Sequence, residues 1–198
     1  MKNLIFAIAL ASAFACHPAR SADQDVNPVV KHYASLVYAN YEDTLNAARA
    51  MQSAINAFIA EPTAANQQAA QQAWREAREF YGQTEAFRFY GGPIDDDHGP
   101  EGRINAWPMD ESFVDKVEGN PRAGLINDRD FAITKEAIAA QNERGGEENI
   151  ATGYHAIEFL LWGQDHSETG PGNRDFNDFV DGKAPNADRR RLYLSVVT

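Results

Sequence analysis

NPVVKHYASLVYANYEDTLNAARAMQSAINAFIAEP, residues 27–62, is the stretch that decides the fold. Val29, Val30, Tyr33, Leu36, Val37, Tyr41, Leu45, Ala48, Met51, Ile55 and Phe58 recur at steps of three and four, the period of one apolar helix face. Asn27 followed by Pro28 supplies an N-cap and a first-turn proline, and Pro62 marks a stop, so the helix is expected from Pro28 to Ile59. A second helix is expected from Thr63 to Tyr90, ended by Gly91-Gly92-Pro93. Two long helices joined by a few residues make an antiparallel hairpin, the usual start of a bundle. No segment alternates apolar and polar residues as a strand would. The expected class is all-α, a helical bundle with long Gly/Pro-rich loops.

The second helix carries Trp74, Arg78, Tyr81, Glu85 and Arg88 in one line at steps of four and three. The adjacent line, Ala73, Ala77, Phe80, Thr84 and Phe87, is expected to be core. Arg78 and Glu85 then border the packed face. They are either a structural ion-pair network, or Glu85 is a ligand that an arginine orients. The loop that follows, GGPIDDDHGPEGRINAWP (91–108), is too long and too punctuated for an ordinary helix connection. Ile94, Ile104 and Trp107 are expected to dock it. Asp95-Asp96-Asp97-His98 lacks the spacing of a calcium loop and reads as a solvated acidic tip. Arg103, Asn105, Trp107 and Asp110 mix polar groups with an aromatic anchor and are the better candidates to line a site.

Further on, a short helix is expected near Glu111–Val117, another near Ile133–Glu143, a third from Glu148 to Trp162, and an amphipathic one from Asp188 to Thr198 with Leu192, Val196 and Val197 on one side. The third carries the chemistry. In Gly153-Tyr154-His155-Ala156-Ile157-Glu158-Phe159-Leu160-Leu161-Trp162, His155 and Glu158 stand three residues apart within an apolar run. On a helix they share one face, one turn apart. Such neighbours predict a poorly hydrated setting, in which an imidazole and a carboxylate need a partner. A metal cation satisfies both; a structural His–Glu hydrogen bond is the alternative.

The chain has 198 residues, a net charge of −11 and a single cysteine, Cys16. Lys2, the apolar run Leu4–Phe14 and the small residues after it read as a secretory signal over residues 1–22, too short to span a bilayer. Ala13-Phe14-Ala15 and Arg20-Ser21-Ala22 both fit a cleavage site, and Cys16 offers lipidation as a second route. Export to the periplasm or cell envelope is expected, with membrane contact only through such an anchor, as in an outer-membrane lipoprotein. One cysteine allows no intramolecular disulfide. Without Lys2 and Arg20 the charge of −11 becomes −13, which speaks against nucleic acid and anionic membrane surfaces and suits a cation-binding role.

Three motifs in order carry a resemblance. They are Trp74-Arg75 through Tyr81 to Glu85-Ala86-Phe87-Arg88; Gly92-Pro93-Ile94-Asp95 with Gly99-Pro100-Glu101-Gly102-Arg103-Ile104-Asn105-Ala106-Trp107-Pro108; and Gly153-Tyr154-His155-Ala156-Ile157-Glu158, which fits GxHxxE. Together they resemble the imelysin-like family, in the branch similar to iron-regulated protein A. The resemblance implies a secreted or envelope-anchored protein of two four-helix-bundle units, a site around HxxE between them, a link to iron uptake and, for some members, a metallopeptidase label. Residues 23–198 then correspond to the first unit, and the domain is expected to be incomplete at its C-terminal end.

A zinc peptidase usually needs three protein ligands, an open position and a base, with HExxH or HxxEH as the signature. Phe159 stands where the second histidine of HxxEH would be, and His98 and His166 lie in loops. The expected ligands are His155, Glu158 and Glu85, with Asp110 next. Arg78, Tyr81, Arg103, Asn105, Trp107 and Asp110 are expected to bind around them. Oxygen ligands with one imidazole favour iron, with zinc as the alternative. The expected function is an exported metal-binding protein of iron uptake or sensing, working with an envelope iron-uptake partner. The alternatives are a metallopeptidase and a protein-interaction module with a structural HxxE pair.

Overall fold

The structure, a computed structural model, describes residues 26–198; the expected signal over residues 1–22, with Cys16, lies outside them. Regular structure among the described residues is helical: α1 (Asn27–Ala60), α2 (Ala64–Gln83), α3 (Glu101–Ile104), α4 (Glu111–Val114), α5 (Lys135–Gln141), α6 (Gly153–Trp162) and α7 (Ala187–Val197), with 3-10 turns at Thr84–Phe87 and Phe176–Phe179. The all-α expectation holds. None of these helices is long and apolar enough to cross a membrane.

The α1–α2 hairpin forms as its periodicity predicts. Thr63 caps α2, its hydroxyl accepting from the Asn66 N–H at 3.2 Å. Two boundaries differ from expectation. Val26, not Asn27, precedes the first helical residue and makes no side-chain cap. α2 stops at Gln83 instead of Tyr90, where the Thr84 hydroxyl donates back to the Tyr81 carbonyl at 2.6 Å and the chain tightens into a 3-10 turn.

α1 packs on α2 and α7, and α6 packs on α2 and α7, which closes a four-helix ring. Its core holds Met51, Ile55, Phe58, Ala70, Trp74, Ala77, Ile157, Leu160, Leu161, Tyr193 and Leu194. The buried residues of α1, Thr44, Met51, Ile55 and Phe58, lie in its C-terminal half, and Val29 and Val30 at its start are 70% and 59% exposed. The apolar face of α7 is met in part: Val196 and Val197 pack against the core with the buried Tyr193 and Leu194, while Leu192 is 49% exposed. α4 and α5 are shorter than predicted, and α6 begins at Gly153 instead of Glu148. Asn142 explains the last difference. Its side-chain oxygen accepts the N–H groups of Ala151 and Thr152 at 2.9 and 3.2 Å, so that stretch is tied down without helical bonds.

The loops are pinned by Asp115, which has no solvent exposure. Arg190 donates to its two oxygens at 2.7 and 3.0 Å, Arg174 at 2.7 Å and the Asn127 amide at 3.1 Å. Burial alone would raise the Asp115 carboxyl, but the Arg190 hydrogen bond and the charges of Arg174 and Arg190 hold it at about 2. The folded value lies below the ordinary 3.8, so ionised Asp115 stabilises the fold above that pH, and the contribution is lost as pH falls from about 4 to about 2. Asp115→Asn should cost roughly 3–5 kcal/mol by leaving guanidiniums buried and under-neutralised. Urea denaturation measures this, and an unchanged midpoint would show that the network carries no stability. The variant should also depend less on pH than the wild type over that acid window.

Candidate functional site

α6 is wrapped by protein. From Tyr154 to Trp162 every residue is buried except His155 and Glu158. A helix apolar on nearly all sides belongs in a core, and α2 supplies much of its cover. The Trp74 indole donates to the Tyr154 carbonyl at 2.9 Å. Gln67 and Gln71 donate to the Leu161 carbonyl at 3.0 and 2.9 Å, satisfying an acceptor that the helix end leaves without an intrahelical partner. The start of α6 depends on Gly153, whose φ is +81° and at which an added Cβ would lie 2.3 Å from the Ile104 carbonyl oxygen. The Thr152 hydroxyl donates to the Arg103 carbonyl at 2.8 Å and fixes the same crossing.

His155 Nδ1 lies 2.9 Å from Glu158 Oε2, with side-chain exposures of 19% and 44%. The setting is wetter than the apolar neighbours predicted, because those neighbours occupy the other faces of the helix. In the tautomer protonated at Nδ1, the ring donates to Glu158 and keeps Nε2 as a lone-pair donor. The pair opens into a cavity of about 280 Å³ that is also lined by Glu111, Asp165, Arg75, Trp74, Trp107 and Trp162. Arg75 sits over the Trp162 ring at 5.1 Å.

Of the other expected site residues, Trp107 joins this cavity. It is 73% exposed and does not anchor its loop; Ile104, packed against the core, does that instead. Glu85 does not join. It is exposed and pairs with Arg88 at 2.7 Å, because the 3-10 turn takes it out of the α-helical line on which the expectation rested. That line itself is largely core: Trp74, Tyr81 and Arg88 are buried, and Phe80, expected inside, is 41% exposed. Arg78 lies over the Tyr81 and Tyr154 rings at 5.7 Å each. The Tyr81 hydroxyl and the Arg88 guanidinium both donate to Glu101, and burial first, then that carboxylate, pushes the Tyr81 hydroxyl well above its ordinary value. Asn105 donates to Glu101 at 3.3 Å. Asp110 caps α4 through the Ser112 N–H at 2.9 Å. Asp95 accepts the N–H groups of Phe89 and Gly92 and so closes a turn. Arg103 and Tyr81 line a second cavity on a different face of α6.

Sequence reasoning missed Glu111, Asp165 and Arg75. Arg75 belongs to the quoted motif Trp74-Arg75 and was the one of the three with a usable signal. Among the described residues no three His, Cys, Asp or Glu side chains stand close enough together to form a ready-made cage. The cavity thus holds one imidazole hydrogen-bonded to Glu158, with Glu111 and Asp165 elsewhere on its lining. Gly153→Ala should destabilise the protein by roughly 1–3 kcal/mol more than Gly119→Ala, since both residues have positive φ and only Gly153 faces a carbonyl. Thermal melts of the two variants decide this; equal shifts would remove the steric part of the explanation.

Comparison with known proteins gives the same picture as the motifs. The family model described as Imelysin, Peptidase_M75, matches residues 37–198. Iron-regulated protein A of Synechococcus elongatus is 35% identical over 127 residues, which is 64% of this chain and 29% of that protein. The matched region thus spans less than a third of the length of that relative.

Proposed function

The chain belongs to the imelysin family, and from that premise we propose that it binds iron at the His155–Glu158 cavity and serves iron uptake or sensing. The observation that carries this is the single wet stripe on α6. A helix buried on its other faces presents one imidazole and one carboxylate, hydrogen-bonded at 2.9 Å, to a cavity that Glu111 and Asp165 also line. A histidine that ligates a metal commonly donates its other ring N–H to a carboxylate, which fixes the tautomer. In this reading Glu158 first orients His155, and Nε2 is the ligand. Glu111 and Asp165 line the same cavity without completing a three-ligand set, and Glu85 leaves the proposed set. One imidazole with oxygen donors and water suits a hard, exchangeable cation better than a closed zinc site. The similarity to a protein named for regulation by iron supports iron over other cations. Export through residues 1–22 and an envelope iron-uptake partner belong to the same proposal.

Metal analysis of the purified protein after loading with iron tests it. His155→Ala should lower occupancy at least tenfold, and Glu158→Gln by tenfold or more through loss of orientation. Glu85→Ala should leave occupancy unchanged. Equal iron in the wild type and in both HxxE variants would sink the proposal.

The family description favours a second reading, a metallopeptidase. It requires a third ligand and a general base, for which Glu111 and Glu158 are the residues at hand. Cleavage of an unstructured protein substrate that disappears both with chelator and in Glu158→Gln would establish it. On the iron-binding reading no such cleavage is expected.

A further inference from the structure

Arg75 is the only lysine or arginine that lines the His155 cavity, which it shares with the carboxylates of Glu111, Glu158 and Asp165. An arginine among three carboxylates would ordinarily pair with one of them. Among the described residues the Arg75 side chain makes no hydrogen bond and no ion pair; it lies over the Trp162 ring, 5.1 Å from the centroid.

Trp162 fixes where that guanidinium stands relative to the HxxE pair. His155, Glu158 and Trp162 occupy positions i, i+3 and i+7 of α6 and form one stripe along the helix. Glu158 and Trp162 are one turn apart, about 5–6 Å between Cβ atoms. The guanidinium over Trp162 therefore stands past Glu158 on the stripe that begins at His155, and all four residues line one cavity. Contact with the ring holds the group in place and leaves its N–H donors in a planar fork, the shape that a carboxylate-type oxyanion accepts from.

Charge points the same way. A ferric ion in this cavity would offset the three carboxylates, and Arg75 would then leave one positive charge in excess beside the buried Trp74 and Trp162. A small anion removes that excess. We propose that the His155 cavity takes ferric iron together with one carboxylate-type oxyanion, which ligates the metal and accepts N–H bonds from Arg75. This inference rests on the reading of the cavity as an iron site. Inorganic carbonate and the carboxylate of a hydroxycarboxylate chelator share the required chemistry. Arg75 is then a specificity residue, favouring iron that arrives with such an anion over the bare ion.

The test loads metal-free protein with ferric acetohydroxamate, which brings no carboxylate. Loading is done in carbonate-free buffer alone, with radiolabelled bicarbonate, or with radiolabelled citrate, and the protein is then gel-filtered and counted for iron and label. With an anion present the wild type should take up iron at least tenfold more tightly than without, and should retain one label per iron. Label from bicarbonate assigns the inorganic source, and label from citrate the chelator. Arg75→Gln should lose both the label and the gain in iron, while its circular dichroism shows it folded. His155→Ala should retain neither iron nor label. Iron held equally in every arm without label, label held equally without iron, or equal label in Arg75→Gln or His155→Ala would each overturn this inference and leave iron binding by the wild type standing. No iron in any arm would sink the reading of the cavity itself, and this inference with it.

Discussion

One carboxylate holds together parts of this molecule that helix packing alone would leave loose. Asp115 follows α4, Arg174 lies in the segment after α6, and Arg190 belongs to α7, yet the three meet in contact with almost no solvent. Arg174 extends the connection. Its N–H donates to the Trp162 carbonyl at 2.8 Å, and its own carbonyl accepts from Gln67 of α2 at 2.9 Å. The end of α6, the middle of the chain and the last helix are thereby fixed to one point. Two guanidiniums on one carboxylate leave an excess of buried positive charge. Asp178 offsets part of it at 3.5 Å from Arg174, and the Phe159 ring, 5.0 Å from the same guanidinium, offers a polarisable face. A hydrophobic replacement of similar volume would often be at least as stable. What the charged cluster adds is selectivity, since only one mutual arrangement of these three segments satisfies it.

That fixed point shapes the site. Past Gly163 the chain returns over the end of α6 so closely that a Cβ on Gly172 would lie 2.7 Å from the carbonyl oxygens of Trp162, Gly163 and Gln164. This return places Pro171 and Gly172 on the wall of the His155 cavity, next to Asp165. At the other end, Gly153 lets α6 touch the backbone of α3. The helix is held at both ends by contacts that tolerate no side chain, and its middle carries the two polar groups. The imidazole thus sits on a helix anchored at both ends, while Asp165 lies in a loop and Glu111 on the first turn of a short helix.

Much of this was legible in the sequence. The long apolar period of α1, the Pro62 stop before α2 and the GxHxxE run gave the class, the hairpin and the His155–Glu158 contact, and the family seen in three motifs is the one that matches. Other features were not legible, for physical reasons. Glu85 was placed by extending an α-helical period across Thr84, where a hydroxyl-to-carbonyl bond changes the pitch. The start of α6 was set too early because Asn142, a distant side chain, replaces the expected helical bonds. Nothing local to Gln67 shows that it meets the Leu161 carbonyl at the end of α6. Glu111 and Asp165 reach the cavity through tertiary packing alone. The Asp115 cluster joins residues 59 and 75 positions apart, beyond the reach of any periodic pattern.

The placement of the aromatic residues has an optical consequence. The chain has three tryptophans, and all of them line the His155 cavity. Trp74 and Trp162 are buried with their rings edge to face at 5.3 Å, and Trp107 stands 73% exposed at the lip. Indole emission from this protein therefore originates at one place. A spectrum recorded during unfolding follows the docking of α6 on α2 and says little about the exposed half of α1. Helical circular dichroism, to which the thirty-four residues of α1 contribute heavily, follows a different part of the molecule. Two transitions seen by these two methods would be the signature of a chain whose site and whose longest helix come apart separately.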